Sequence, residues 1–186
     1  MHDYSPMWRE VLQHAHWTPE LTALGVSALR QTFGLAPGAS IPPFIVLHAR
    51  HGDFANYCRG STAAECFAPL SAFAMRVREI QDELHARTGV RPAHVLMTSD
   101  ERDAAWWADV AALGWFRLEL SQGSKEAEAL GDWYPVVMDA VVQSMGVGFV
   151  GTEESTFSHI ARRRVMDWNG GITRMVKWGR PGADDH

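Results

Sequence analysis

The sequence predicts an α/β domain in which helices cover both faces of a mostly parallel sheet. Three observations favour this fold class. Short apolar runs of strand length alternate along the chain with longer amphipathic segments of helical period. Most of these runs are apolar throughout, as in strands buried on both faces. Polar loops follow the runs, and the carboxyl ends of parallel strands share one edge of a sheet, so we expect a ligand site there.

The composition limits the function classes that need to be considered. With 186 residues, the chain is long enough for one domain with a sizeable core. The formal net charge of −5, without a basic stripe, argues against binding to nucleic acid. No apolar run approaches the length of a transmembrane helix, and the first residues lack the pattern of a signal peptide. We therefore expect either a cytosolic chain or a piece of a longer precursor.

The cysteines, Cys58 and Cys66, are separated by a loop-like segment. Two free thiols and a local disulfide both fit this arrangement, and the spacing leaves the choice open. No second Cys or His pair stands at the spacing of zinc ligands, so the sequence predicts no metal site.

Residues 1–40 are predicted to form an N-terminal arm, a lead-in helix and a linker. Thr18 followed by Pro19 is typical of a helix start, because a hydroxyl caps the helix and Pro fits its first turn. This helix is expected to stop near Gly34, and the segment LAPGASIPP that follows is rich in turn residues.

Residues 41–178 are predicted to form the main domain, and residues 179–186 a loose tail. The apolar runs predict buried strands at 44–48, 95–97 and 147–150, and an alternating run predicts a further strand at 115–120. Apolar residues recurring at helical spacing predict helices over 66–87, 101–113, 133–145 and 157–165.

The densest polar cluster follows the first strand, in the segment HARHGDF. Arg50 can offer a planar fork of donors to a phosphate, and Gly52 allows a tight turn or a close approach of the backbone. The alternative is a structural ion pair between Arg50 and Asp53 that braces the loop.

A second cluster lies where the fourth strand passes into the last helix, in the segment GTEESTFS. The unpaired N–H groups of a helix N-terminus, flanked by the hydroxyls of Ser155 and Thr156, make a seat for a phosphate. An ordinary N-cap is the alternative.

Two acids complete the candidate set. Asp100 ends the second strand, where capping of the next helix and contact with a ribose are the two options. Asp139 falls off the apolar stripe of its helix, which is typical of a solvated acid. A carboxylate can also accept two N–H bonds from the edge of guanine, so base selection is the other reading of Asp139.

In this order, the segments HARHGDF, TSD and WYPVVMDAVVQSMGVGFVGTEESTFS resemble the donor-binding half of the GDP-fucose fucosyltransferases, particularly the protein O-fucosyltransferase-like group. The family pattern is H-x-R-R-x-D-F, a later S/T-D, and an Asp upstream of a hydroxyl-rich turn. The matching positions are His48, Arg50, Gly52, Asp53, Phe54, Ser99, Asp100, Asp139, Ser155, Thr156 and Phe157. The chain departs from the pattern at His51, where many members have a second Arg.

The resemblance implies a Rossmann-like, three-layer domain with a mostly parallel sheet, similar to the C-terminal donor-binding domain of GT-B glycosyltransferases. It implies inverting transfer of fucose from GDP-fucose to a hydroxyl of a protein or glycan acceptor, without a metal or other cofactor. The N-terminal GT-B half would then be missing from this chain, which as an isolated half could lack activity. If Cys58 and Cys66 pair as in secretory relatives, the parent protein works in the lumen of the endoplasmic reticulum or Golgi.

The resemblance also implies roles for individual residues. Arg50 would be the catalytic residue, binding the β-phosphate and stabilising it as it leaves. Asp139 would select guanine, and His48 would help to seat the nucleoside. The residues implied to bind GDP-fucose are His48, Arg50, Asp100, Asp139, Ser155, Thr156 and Phe157.

Two alternatives remain open at this point. One is a non-catalytic, nucleotide-binding remnant of the same fold. The other is a histidine phosphatase, because Arg50-His51-Gly52 matches the R-H-G of that class, in which the His accepts the phosphoryl group.

Overall fold

Parallel strands form the central sheet of the computed structural model, which describes residues 5–58, 60–120 and 125–184. In the described residues the sheet has five strands in the order β3-β2-β1-β4-β5, and each neighbouring pair is parallel. Their bounds are β1 Phe44–Ala49, β2 His94–Ser99, β3 Phe116–Arg117, β4 Gly148–Thr152 and β5 Ile172–Val176. The predicted α/β class is confirmed.

Helices lie on both faces of this sheet. Their bounds are α1 Pro6–Leu12, α2 Pro19–Thr32, α3 Ala63–Cys66, α4 Leu70–Thr88, α5 Ala104–Ala112, α6 Lys125–Leu130, α7 Tyr134–Gln143 and α8 Thr156–Asn169. Short 3-10 turns occupy Gly52–Tyr57 and Gly131–Trp133. No helix in the described ranges is long and apolar enough to cross a membrane.

Strand β1 lies at the centre of the sheet and is buried along its whole length. Its side chains alternate between the two faces, as the pleat of a strand requires. Ile45 and Leu47 pack with residues of α4 and α5, whereas Phe44 and Val46 pack with residues of α2, α7 and α8. Two apolar cores therefore sandwich the sheet, which makes the three layers expected of the Rossmann-like class.

The predicted start of α2 is observed. The Thr18 hydroxyl accepts the Leu21 N–H at 3.3 Å, and Pro19 occupies the first turn of α2. The predicted helix over 66–87 is interrupted, because Pro69 precedes α4 and separates it from the single turn α3. Proline lacks the N–H that would have continued the ladder from α3.

The predicted strand at 115–120 is reduced to Phe116–Arg117, which pairs with Leu96 and Met97 of β2. Its continuation leaves the sheet, because the Glu119 N–H donates to the hydroxyl of Thr32 in α2 at 2.9 Å.

Strand β5 was not predicted. It carries Arg174 in its middle, and this guanidinium forms ion pairs with Glu79 and Glu83 of α4. Such a charge interrupts the apolar pattern by which a buried strand is recognised. Residues 172–176 form a strand because they pair with Gly148–Thr152 of β4. This pairing is a tertiary interaction, which the local pattern does not show.

The expectation of a loose tail is corrected for residues 179–184. The Gly179 N–H donates to the Cys66 carbonyl at 2.6 Å. Asp184 is buried, forms an ion pair with Arg76 at 3.1 Å and accepts the Lys177 N–H at 3.0 Å. These long-range partners hold a segment whose local sequence is typical of a loop; residues 185–186 lie outside the described ranges.

The two cysteines form a disulfide, with a Cα–Cα distance of 5.6 Å across a sequence separation of 8. This bond joins the end of the 3-10 turn after β1 to α3. The alternative of two free thiols, which the spacing left open, is thereby excluded.

Candidate functional site

The hydroxyl of Thr152 joins the carboxyl ends of β1 and β4 by hydrogen bonds. It donates to the His48 carbonyl at 3.0 Å and accepts the Arg50 N–H at 3.0 Å. In the register of the two strands, His48 lies beside Gly151. The loop HARHGDF and the turn GTEESTFS therefore meet at one edge of the sheet, as the predicted topology requires.

Arg50 forms two ion pairs within this edge. One guanidinium nitrogen contacts Asp53 at 2.6 Å, and the other contacts Asp100 at 2.8 Å. The predicted loop-bracing pair with Asp53 is thus present. The side chain is about one-third exposed, and a guanidinium has five N–H donors, so it retains donors for a ligand.

Asp100 positions the loop after β1. Its Oδ1 accepts the His51 N–H at 2.8 Å, while its Oδ2 accepts from Arg50. The expectation that Asp100 caps the next helix is wrong, because the carboxylate of Asp103 caps α5 by accepting the Ala105 N–H at 3.0 Å. Both Asp100 oxygens hold protein donors, which gives Asp100 a positioning role, and its contact with a ribose stays a prediction.

His48 is buried, and its Nδ1 lies 2.7 Å from the Ser158 hydroxyl. That hydroxyl also accepts the Thr152 N–H at 3.1 Å, which leaves its own proton for Nδ1 and favours a ring proton on Nε2. Burial, with the nearby charges of Arg50 and His51, lowers the pKa of His48 to about 3. His48 is therefore a neutral side chain at physiological pH.

The N-terminus of α8 is capped by Ser155, whose buried hydroxyl accepts the Ser158 N–H at 3.3 Å. The ordinary N-cap is thus present. The cap oxygen still has a proton to donate, and neither the Thr156 nor the Phe157 N–H has an acceptor within the described ranges. Thr156 is exposed, and the Phe157 ring lies 5.0 Å from the His48 ring. The helix start retains free donors for an anion.

Two acids at the same turn were not predicted as site residues. Glu153 is half-buried, and Glu154 is exposed with a φ of 66°, a left-handed conformation that non-glycine residues rarely adopt. Their negative charges oppose those of a phosphate at the start of α8. Their place in the sequence, directly before the capping Ser155 of α8, could have indicated that these acids lie beside the site.

Asp139 lies in α7 and is half-buried rather than fully solvated, which corrects the expectation from its helical position. Burial raises its pKa to about 7; the charge of Arg117 opposes this shift, and that of Asp100 adds to it. No donor within the described ranges hydrogen-bonds to its carboxylate. Asp139 is thus a half-buried carboxyl group that can accept a ligand's N–H groups.

His51 faces a different environment from its neighbour Arg50. Its Nδ1 lies 2.7 Å from Glu101, and its ring stacks on Phe67 with centroids 4.3 Å apart. Trp106 packs edge-on against it at 5.2 Å. A phosphoryl acceptor needs a ring presented to the phosphate beside the arginine. The packed ring of His51 gives the phosphatase alternative no support.

Sequence reasoning missed Thr152 and Ser158, which hold His48 and the loop after β1. Both belong to the hydroxyl-rich turn, so their hydroxyl groups could have indicated a role at the site. Their hydrogen-bond partners are visible only in the structure. Within the described ranges, no group of three or more His, Cys, Asp or Glu side chains is arranged to hold a metal ion.

No family model matches the sequence, and no curated protein is similar enough to match. Solved structures do match. The apo form of POFUT1 superposes with a TM-score of 0.55 at 15% identity, covering 92% of this chain and 50% of that chain. POFUT1 in complex with GDP-fucose gives a TM-score of 0.54 at 14% identity, with 95% and 50% covered. NodZ alpha-1,6-fucosyltransferase soaked with GDP-fucose gives 0.49 at 19% identity, with 80% and 42% covered.

The chain therefore has an O-fucosyltransferase-like fold, which the two POFUT1 structures show at low sequence identity. It spans about half the length of those chains. The predicted resemblance is confirmed at the level of the fold.

Proposed function

We propose that this chain is the donor-binding half of a GT-B glycosyltransferase that transfers fucose from GDP-fucose to a hydroxyl of a protein or glycan acceptor. One observation carries the proposal. The loop that carries Arg50 is hydrogen-bonded through the Arg50 backbone N–H to Thr152, close in the chain to the free N–H groups of α8, in a fold shared with POFUT1 structures solved with GDP and GDP-fucose. A second, acceptor-binding half would complete the enzyme.

The diphosphate would lie between the Arg50 guanidinium and the first turn of α8, a position that we call the anion seat. Charge-assisted hydrogen bonds from a guanidinium are among the strongest available to a phosphate, and the helix dipole adds to them. The N–H groups of Thr156 and Phe157 and the hydroxyl of Ser155 are further donors in this proposal. Neutral His48 would contribute a donor through Nε2 without adding charge.

The guanine base would be recognised by Asp139. An ionised carboxylate accepts two N–H groups from guanine, whereas adenine does not present the same pair of donors. The absence of a hydrogen-bond partner for Asp139 within the described ranges supports this role.

In the reaction, the acceptor oxygen would attack the anomeric carbon of fucose while the bond to the β-phosphate oxygen breaks. GDP leaves with the bonding electron pair, and the acceptor's proton passes to a base or to solvent. Negative charge grows on the leaving diphosphate. Donors fixed in advance around that charge lower the barrier, and Arg50 is the residue to which we assign this task. In this proposal no metal is required.

A second candidate is a protein that binds the nucleotide without turnover. Two observations favour it. The family's second Arg is replaced by His51, which packs away from Arg50, and Glu153 and Glu154 add negative charge beside the anion seat. Both changes weaken the stabilisation of a leaving diphosphate.

Calorimetric titration with GDP, GDP-fucose and ADP tests the proposal. We expect GDP and GDP-fucose to bind, and ADP to bind at least about tenfold more weakly than GDP. The Arg50→Ala variant should lose about tenfold or more in GDP affinity. Arg91→Ala is the matched control, because Arg91 forms an exposed ion pair with Asp82 away from the site. Thermal unfolding of both variants checks the fold.

Equal affinity for GDP and ADP would contradict the assignment of the base, and an unchanged Arg50→Ala variant would remove Arg50 from the anion seat. Release of fucose or its transfer from GDP-fucose, lost in Arg50→Ala, separates the enzyme from the non-catalytic candidate. In this proposal the transfer assay needs an acceptor-binding half supplied together with this chain.

A further inference from the structure

Beside the candidate nucleotide site lies a cavity with a volume of about 450 Å³. It opens where the chain leaves β4 and β5, and its walls also include the 3-10 turn after β1. None of the residues proposed to bind GDP-fucose lines it. The lining residues are Phe54, Tyr57, Glu153, Glu154, Trp178 and Gly179.

Aromatic rings form the walls of this cavity. Phe54 stacks on Trp178 with centroids 4.6 Å apart and an interplanar angle of 29°. Tyr57 meets Phe54 edge-on at 6.0 Å and is 66% exposed. The Trp178 indole N–H donates to the Glu153 carbonyl at 3.0 Å, which fixes the indole against the turn before α8. The aromatic walls are therefore held in place by stacking and by one hydrogen bond.

The carboxylates of this cavity have no ion-pair partner within the described ranges. Neither Glu153 nor Glu154 forms a side-chain hydrogen bond or ion pair there. Arg50 lies over the Phe54 ring, 5.8 Å from its centroid, but it is already paired with Asp53 and Asp100. The cavity thus combines aromatic faces with two carboxylates that form no ion pair within the described ranges.

We propose that this cavity binds an organic cation, an ammonium or guanidinium group carried by the acceptor. Aromatic faces attract cations through their quadrupoles, and carboxylates form charge-assisted hydrogen bonds with the same groups. A neutral saccharide would stack on the rings equally well but would leave both carboxylates without an ion-pair partner. The combination of rings and acids therefore favours a cationic ligand.

Occupation of this cavity is coupled to the anion seat. Glu154 directly precedes Ser155, so its charge and that of Glu153 repel a diphosphate at the start of α8. A bound cation neutralises that repulsion, and by linkage GDP strengthens cation binding by the same factor. This coupling rests on the proposed function, whereas cation binding by itself does not.

Nuclear magnetic resonance of the Trp178 indole N–H, identified from its loss in Trp178→Phe, tests cation binding without any nucleotide. The probes are N-acetyl-arginine amide and N-acetyl-lysine amide, with N-acetyl-glutamine amide and a neutral disaccharide as uncharged comparisons. We expect the cationic probes alone to shift this signal saturably. The two cations distinguish a planar guanidinium from a compact ammonium as the preferred group.

Two double variants test the role of the carboxylates, one in the cavity and one as a control elsewhere. Glu153→Gln/Glu154→Gln should lower affinity for the cationic probes about tenfold. Glu119→Gln/Glu128→Gln makes the same change in net charge beyond β3, at the opposite end of the sheet, and should leave the affinity unchanged. Equal binding of neutral probes, or equal loss in both variants, would overturn the proposal.

The coupling is measured as GDP affinity at low salt with and without saturating N-acetyl-arginine amide. We expect the probe to tighten GDP binding about fivefold in the wild-type protein and to have no effect in Glu153→Gln/Glu154→Gln. That variant should itself bind GDP more tightly than the wild-type protein does. An unchanged GDP affinity overturns the coupling, while failure of GDP to bind at all overturns the proposed function and leaves the cation site to the resonance experiment.

Discussion

Asp139 is the residue whose chemistry is changed most by its place in the fold. In an unfolded chain its carboxyl group has a pKa of 3.8, and in the folded protein burial raises this pKa to about 7. The residue proposed to accept N–H groups from guanine is therefore only partly ionised at neutral pH. Two consequences can be measured separately, one for binding and one for stability.

GDP affinity should depend on the ionisation of Asp139. If only the carboxylate accepts the guanine N–H groups, the ratio of wild-type to Asp139→Asn affinity for GDP rises about tenfold from pH 6 to pH 8, across the raised pKa. Calorimetry at both pH values measures this ratio, which also cancels the ionisation of the GDP phosphate itself. A ratio that stays constant with pH would exclude the carboxylate from base recognition.

The same pKa shift affects stability. Because the folded-state pKa of Asp139 lies above the unfolded value, the folded state holds the proton more tightly between about pH 4 and pH 7. Its stabilising contribution is complete below the unfolded pKa and is lost as the pH rises through about 7. We expect Asp139→Asn to be more stable than the wild-type protein by about 1–3 kcal/mol at pH 8 and equally stable at pH 4, as measured by urea unfolding. A variant less stable at pH 8 would contradict this account.

At the scale of elements, the loop after β1 depends on the close approach of Gly52 to Asp100. A Cβ atom at Gly52 would collide with Asp100 Oδ2, the oxygen that holds Arg50. The sequence suggested a tight turn or a close approach at this glycine, and the structure identifies the neighbour as the carboxylate of Asp100, the residue after the adjacent strand β2.

Gly52→Ala should therefore displace Asp100 and Arg50 together. We expect a loss of about 1–3 kcal/mol in unfolding free energy and a weaker affinity for GDP. The control is a double-mutant cycle with Asp100→Ala, in which the clashing oxygen is absent and the added cost of Gly52→Ala is smaller. Additive effects of the two changes would show that the clash is not the cause.

The boundaries of helices and strands differ in whether neighbouring residues in the sequence set them. The starts of α2 and α8 follow from a capping hydroxyl and are where the sequence places them, within a residue or two. The ends of β3 and the whole of β5 depend on pairing with β2 and β4. Arg174 in β5 has its partners on α4, which no pattern within the strand could indicate.

At the scale of the whole molecule, the C-terminal segment is held against α3 and α4. Asp184 connects it to α4 through Arg76, and both side chains are buried. The segment also supplies Trp178, which lines the proposed cation cavity. Its anchoring thus matters for stability and for that cavity.

Replacing Asp184 should release this anchor. Asp184→Ala leaves Arg76 buried with Glu79 as its remaining carboxylate partner, and we expect a loss of about 1–3 kcal/mol in unfolding free energy. Urea unfolding measures the loss, with Asp132→Ala, at an exposed acid, as the comparison. Equal stability of the two variants would show that the tail is not held by this ion pair.

The sequence by itself determined the α/β class, the edge at which polar residues gather, and most of the candidate site residues. These follow from periodicity and from the rule that parallel strands share their carboxyl edge, both of which are local or topological. The tertiary structure decided which of those residues are positioned by others: Arg50 is held by Asp100, and His48 by Ser158. It also decided the raised pKa of Asp139 and the formation of β5. Burial and long-range partners set these properties, because the free energy of a charge or of a strand depends on neighbours that are distant in the chain.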